Sequence, residues 1–288
     1  EKNILEDEFL GNNNPEKQDE IWISVVGRPN SGKSTLINKI IGSDRLLTGP
    51  ESGITRDSIA VSLDWMGQNF KITDTAGMRK KAKIEARLEK LSVADSIQSL
   101  KFSEVIILLL DVSSPFDTQD LKIADFAAKE GRSIVLAVNK WDLETNKTRK
   151  LNFLKDKVNV LLPQLMGVPL VVLSGLTGHG LAELHASILQ AYKTWNIRIS
   201  TSKLNSWLTK QITAHPPPSI GGRRIKMRYI TQIKSRPPTF VVFASVSRKI
   251  PESYKRYLIN GLRKDFLLYG TPIRLILRKG SNPFETKK

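Results

Sequence analysis

Residues 27–35 read GRPNSGKST. Two glycines five apart, then lysine and serine, follow the pattern of a phosphate-cradling loop that joins a strand to a helix. Both flanking elements are legible. IWISVV (21–26) is a short β-branched run ending at Gly27, and KSTLINKII (33–41) places Leu36, Ile37, Ile40 and Ile41 on one helical face before Gly42. Glycines let such a loop turn tightly and aim its backbone N–H groups inward, where they and the positive end of the helix stabilise an anion. Lys33 is then expected to reach the terminal phosphates and the Ser34 hydroxyl to bind Mg²⁺. The wider cradle is Gly27, Arg28, Pro29, Asn30, Ser31, Gly32, Lys33, Ser34 and Thr35.

From residue 21 onward strands and helices alternate. Strands are expected at 21–26, 57–64, 69–73, 104–110, 133–138 and 169–173, and helices at 33–41, 84–98, 118–130, 148–162 and 180–194. This implies an α/β fold, a mostly parallel six-stranded sheet covered on both faces, with ligands at the carboxyl ends of the strands. The tight WMGQ turn (65–68) makes the second and third strands antiparallel.

Further signals fall at those strand ends. DTAGM (74–78) follows FKIT; Asp74 there can hold Mg²⁺ through water, and the Gly77 amide can meet a γ-phosphate, with Thr75, Ala76 and Met78 beside it. NKWD (Asn139, Lys140, Trp141, Asp142) follows SIVLAV. A carboxylate at Asp142 can accept from N1–H and the exocyclic amine of guanine. Adenine would leave it unpaired, a mismatch that such sites reject by about 10⁴-fold. Lys140 can lie along the base and Asn139 can brace the loop. Ser174, Gly175 and Leu176, after PLVVL, offer backbone amides to the guanine O6, and Thr55 in GITRD (53–57) can add a hydroxyl to Mg²⁺ when a γ-phosphate is present.

Bulk properties narrow the class. The 288 residues contain 40% hydrophobic side chains, no cysteine and no apolar run long enough for a membrane span, so no membrane partner is expected. The chain begins at Glu1 and reads as a fragment or processed product. The net charge of +17 is uneven: residues 1–20 carry −5, residues 21–196 carry +5, and residues 197–288 carry +17 from 20 bases and three acids. Such a block is an electrostatic footprint for a polyanion. The expected organisation is an acidic linker (1–20), a P-loop GTPase domain (21–196) and a small basic α+β domain (197–288) with α-β-β-α-β order.

GRPNSGKST, GITRD, DTAGMRKK and NKWD resemble the second GTPase domain of the bacterial Der (EngA) family. RISTSKLNSWL, KMRYITQIKSRPPTF, SYKRYLINGLRKDF and GTPIRLILRKGSNPF resemble the KH-like domain that closes those proteins. The resemblance covers roughly 21–288 and lacks a first GTPase domain. It implies a cytoplasmic GTPase with GTP/GDP and Mg²⁺ as ligands, acting in assembly of the large ribosomal subunit, with its precursor particle and rRNA as partners. Two departures stand out: Ile54 replaces a threonine before Thr55-Arg-Asp, and Gly175 replaces the alanine of the guanine loop, which should add backbone freedom near the base.

Catalysis is less specified. Where many GTPases carry a water-orienting glutamine the chain has Met78. Asn30 is a candidate to hold K⁺ near the phosphates, as in related potassium-stimulated GTPases, which makes Asn30, Lys33, Thr55, Asp74 and Gly77 the catalytic candidates. The terminal domain lacks a G-x-x-G clamp, so rRNA contact is expected through Arg223, Arg224, Lys226, Arg228, Lys234 and Arg236. The alternative is a nucleotide-sensing protein-docking module with negligible turnover. The three histidines and Trp22, Trp65 and Trp195 have no ligand-like spacing and are expected to be structural.

Overall fold

The computed structural model describes residues 20–43, 59–74, 100, 102–219, 225–245 and 250–280. The first sheet has six strands: β1 (Ile21–Val26), β2 (Ile59–Trp65), β3 (Gln68–Asp74), β4 (Val105–Asp111), β5 (Ser133–Asn139) and β6 (Leu170–Val172). Their order is β2-β3-β1-β4-β5-β6. Every neighbouring pair is parallel except β2 and β3, which pair antiparallel from Ile59 opposite Asp74 to Trp65 opposite Gln68. Met66 and Gly67 make that hairpin in two residues, both at positive φ (53° and 82°), the turn whose twist matches paired strands. The expected α/β architecture is the observed one.

Helices α1 (Lys33–Ser43), α2 (Thr118–Glu130), α3 (Lys147–Leu161) and α4 (Leu181–Trp195) cover the sheet. β4 and β5 are buried on both faces, as central parallel strands must be. One core layer joins Leu36, Ile37 and Ile40 of α1 with Leu184 and Ile188 of α4 across β1. The other joins Ile123, Ala127, Leu154 and Val158 of α2 and α3 beneath β4 and β5. Asp117 caps α2 in a reciprocal box with Asp120, and Gly131 ends it at φ 80°. His185 packs edge-on against Trp65 and Phe70, a structural role as expected. The helix expected at 84–98 lies outside the described residues.

The second unit follows the α-β-β-α-β order expected of it: α5 (Thr201–Ala214), β7 (Met227–Lys234), β8 (Thr239–Ala244), α6 (Glu252–Asp265) and β9 (Arg274–Lys279). β8 is central, antiparallel to β7 and parallel to β9. Its own core gathers Leu204, Trp207 and Leu208 of α5 with Leu258 and Leu262 of α6 over Ile230, Phe240 and Val242.

The two units meet where β4, β5 and β6 begin. Arg236 bonds Glu104 at 3.0 Å, Tyr192 at 3.2 Å and Asn196, and its guanidinium lies over the Tyr192 and Trp195 rings. Pro237 sits against Gly131, where an added Cβ would stand 2.6 Å from the proline ring. The buried Arg263 donates to the Gln164 carbonyl at 2.9 Å, and Gly270 N–H donates to Met166 O. Burial pushes the Arg263 guanidinium down from its ordinary value. The junction is thus at the opposite end of the parallel strands from the loops that follow β1, β5 and β6. A seven-residue strand spans about 20 Å.

Candidate functional site: the loops at the strand ends

The loop from Gly27 to Gly32 is shaped by close approaches. A Cβ on Gly27 would stand 2.4 Å from Leu109 O, and one on Gly32, at φ +93°, would stand 2.3 Å from Asn139 Nδ2. Neither position can carry a side chain as the loop stands. Asn30 adopts the left-handed conformation (φ 62°) and is exposed, as are Pro29, Ser34 and Thr35. Lys33 Nζ donates to the carbonyls of Gly27 (3.0 Å) and Arg28 (2.8 Å), so its ammonium lies over the loop. The Ser31 hydroxyl is buried and has no hydrogen-bond partner among the described residues. A backbone cradle, a lysine over it and an exposed hydroxyl at Ser34 fit a nucleotide phosphate with its Mg²⁺.

Arg28 belongs to the loop through its backbone. Its guanidinium turns to Asp117 (2.8 Å), Asp120 (3.2 Å) and the Ser114 hydroxyl (2.9 Å). Burial pushes the Asp120 carboxyl up, and the adjacent Arg28 charge offsets this only in part. Two carboxylates with the Ser114 carbonyl and hydroxyl hold the guanidinium, so the side chain anchors the loop to the start of α2. Only the Arg28 backbone faces Lys33.

Asn139, at the end of β5, is the centre of the cluster. Its side chain is buried, donates to Ser31 O at 2.8 Å and accepts from Gly175 N–H at 2.9 Å. It thereby ties the phosphate loop to the loop after β6. Lys140 has φ 64°, and its ammonium bonds Asp111 at 2.6 Å. Burial pushes the Asp111 carboxyl up, but the Lys140 and Ser113 donors outweigh it and hold the group below its ordinary 3.8. Asp142 is exposed. Trp141 was expected beside the base, but its indole is only 3% exposed and packs in the core with Leu154 and Leu165. A large apolar ring gains more from burial there than from the loop mouth. The Trp141 backbone N–H donates to Leu173 O at 3.1 Å, which ties the Asp142 loop to the end of β6.

Gly175 also has a closer role than added freedom. A Cβ there would meet the Leu36 backbone at 3.2 Å, so the glycine allows the loop to sit on α1. Its amide is engaged by Asn139, which removes one of the donors expected for the guanine O6. Ser174 is buried, its hydroxyl accepting from Thr177 N–H, while Leu176 is exposed at the mouth. The backbone of Asp74 ends β3 beside β1. Thr55, Thr75, Ala76, Gly77, Met78, Arg223 and Arg224 lie outside the described residues.

Sequence reading did not anticipate a buried cluster of Ser24, Thr73 and Ser103, whose hydroxyls bond one another beneath the end of β3. Three single hydroxyls from distant segments carry no shared pattern. It also placed Arg236 with the RNA-facing cations, whereas Arg236 is occupied by Glu104, Tyr192 and Asn196 of the first unit. Lys226, Arg228 and Lys234 are exposed.

Two family models match. Residues 22–140 match a 50S ribosome-binding GTPase, and residues 198–278 match the KH-domain-like C-terminal unit of EngA bacterial GTPase enzymes. GTPase Der of Cereibacter sphaeroides is 60% identical over 270 residues, 93% of this chain and 55% of that protein. GTPase Der of Dinoroseobacter shibae is 56% identical over 276 residues, 95% of this chain and 56% of that protein. An Aquifex aeolicus Era structure covers 91% of this chain and 94% of its own, at 21% identity and a TM-score of 0.45. Among the described residues no helix is long and apolar enough to cross a membrane. The chain spans about half the length of the curated relatives it matches and belongs to the GTPase Der family, carrying one GTPase domain and the KH-like domain.

Proposed function

We propose that this chain binds GTP at the loops after β1, β5 and β6, hydrolyses it to GDP and phosphate, and uses the cycle in assembly of the large ribosomal subunit. The observation that carries the reading is Asn139, which holds the phosphate loop and the Ser174–Leu176 loop in one arrangement. In that arrangement Gly27 to Thr35 would cradle the phosphates and Lys33 would neutralise their terminal charge; by motif position, Ser34 with Thr55 and Asp74 would hold Mg²⁺ and the Gly77 amide would meet the γ-phosphate. Asp142 pairs with the guanine edge, with Lys140 along the base. Mg²⁺ supplies electrostatic stabilisation of the phosphates when bound. Met78 cannot orient water, so hydrolysis is slow unless K⁺, held with the help of Asn30, supplies charge near the phosphates. The domain boundary falls between residues 196 and 197. The terminal domain meets rRNA through phosphate contacts from Lys226, Arg228 and Lys234, together with Arg223 and Arg224.

The test is single-turnover cleavage of GTP in KCl, with an Asp142→Asn variant alongside. The parent cleaves GTP and ignores ATP. Asp142→Asn loses GTP and GDP and gains the xanthine nucleotide, whose 2-oxo group suits an amide donor. Unchanged GDP affinity in that variant removes the base assignment, and absence of cleavage in KCl favours the nucleotide-sensing docking module. Arg236, bonded to Glu104 of the first unit, stands outside the RNA-facing set in either reading.

A further inference from the structure

We infer that the outer face of α3 is a second nucleic-acid contact surface, one that takes unpaired RNA by stacking on Phe153. Three observations meet on this helix, the first two sharing its N-terminal cations. The first is charge. Residues 21–196 carry 23 bases and 18 acids, a net +5, and the fifteen residues of α3 alone hold Lys147, Arg149, Lys150, Lys155 and Lys157 against Asp156, a net +4. Nearly all of the net charge of the GTPase domain is on one helix.

The second is a conflict with local rules. Three cations stand in the first turn and no acid does, the Asn146 side chain makes no capping bond, and Glu144 before the helix meets only Lys150 of the three, at 3.9 Å. Cations at a helix N-terminus oppose the macrodipole. Positions that break a local preference with no gain in packing are where function is expected.

The third is an unburied aromatic in a suitable frame. Phe153 is 46% exposed, with Arg149 and Lys157 one turn away on either side of it on the same face. Lys157 Nζ lies 4.9 Å from the ring centroid. Glu144, Asn146, Arg149, Lys150 and Phe153 line an open hollow of about 320 Å³, and Val160 (76% exposed) extends the apolar strip beyond it. Exposed rings set among cations are how proteins hold single strands without sequence preference, the ring taking the base and the cations the phosphates. The Asn146 side chain, which makes no capping bond, offers polar atoms to a base edge, while Glu144 is held by the Asn146 N–H at 2.8 Å and by Lys150 at 3.9 Å. The surface requires no involvement of residues 197–288, so it stands or falls apart from the function proposed for that domain.

The experiment uses the full chain with a 4-thiouridine-substituted single-stranded RNA and a duplex of the same length. Cross-links to a peptide within residues 144–161 are expected, and Phe153→Ala should weaken single-strand binding about tenfold while leaving duplex binding and GDP affinity unchanged. Arg149→Gln with Lys157→Gln should weaken both RNAs and lower the salt dependence. Because Phe153 and these cations are exposed, the variants should fold, and an unchanged far-UV spectrum checks it. Cross-links confined to other segments, or Phe153→Ala binding single strands as the parent does, would overturn the inference. Loss of binding to RNA-free ribosomal proteins in Phe153→Ala, with RNA binding intact, overturns it in favour of a protein partner.

Discussion

Asn139 Nδ2 donates to the Ser31 carbonyl at 2.8 Å across 108 residues of sequence, while its Oδ1 accepts from Gly175 N–H. One buried amide therefore fixes the distance between the loop proposed for phosphate and the loop proposed for base. Asn139→Ala leaves a buried carbonyl and a buried N–H unpaired, at a cost of about 1–3 kcal/mol. The expected outcome is a lower denaturation midpoint in urea and weaker GDP and GTP binding by similar factors. A variant that loses stability but keeps both affinities would show that the brace serves only the fold.

Gly32→Ala strikes the same contact from the other side. Its Cβ would stand 2.3 Å from Asn139 Nδ2, in a φ region that side chains rarely adopt. A loss of at least tenfold in GDP affinity is expected by calorimetric titration. Gly42→Ala, with open space around its Cβ, should leave binding unchanged.

The cation dependence rests on Asn30, exposed at φ 62° in the loop. Hydrolysis should be faster in K⁺ than in Na⁺, and Asn30→Ala should abolish the difference without loss of GDP binding. Equal rates in the two salts for the parent would redirect attention to a residue supplied by a partner.

Arg236 latches the two domains through Glu104, Tyr192 and Asn196. The pair is partly exposed, so its ionic share is worth well under 1 kcal/mol; stacking on Tyr192 and Trp195 adds a contribution of similar size. Arg236→Ala should speed amide exchange around Gly131 and separate the calorimetric unfolding of the two domains. Its effect on RNA affinity should be smaller than that of Lys226→Ala combined with Arg228→Ala, measured over a KCl series.

Asp111 provides a pH signature. Its carboxyl is held below 3.8 by Lys140 and Ser113 against the opposing effect of burial. A group depressed in the folded state stabilises the fold above its unfolded pKa, and that stability is lost as pH falls through the lower folded value. The parent should therefore lose stability from Asp111 only below about pH 4, and Lys140→Met should move the Asp111 titration upward in a carboxyl-resolved NMR series.

The described elements of the first domain were legible because of local causes. VIILLL is a buried parallel strand by composition, Met66-Gly67 dictates a two-residue hairpin, and the helix at 118–130 is the one that the structure shows capped by Asp117 and ended by Gly131. The motif residues were legible as well, because phosphate and guanine loops depend on residue type at fixed spacing. What each side chain touches was not. Arg236 looked like a cation for phosphate, and the fold gives it to a carboxylate 132 residues away, as it gives the Arg28 side chain to one 89 residues away. Trp141 looked like part of a base pocket and is core. A charge or a ring is read from sequence by its chemistry, but its partner is chosen by which segments the sheet order makes neighbours, and that choice follows from burial summed over the whole chain.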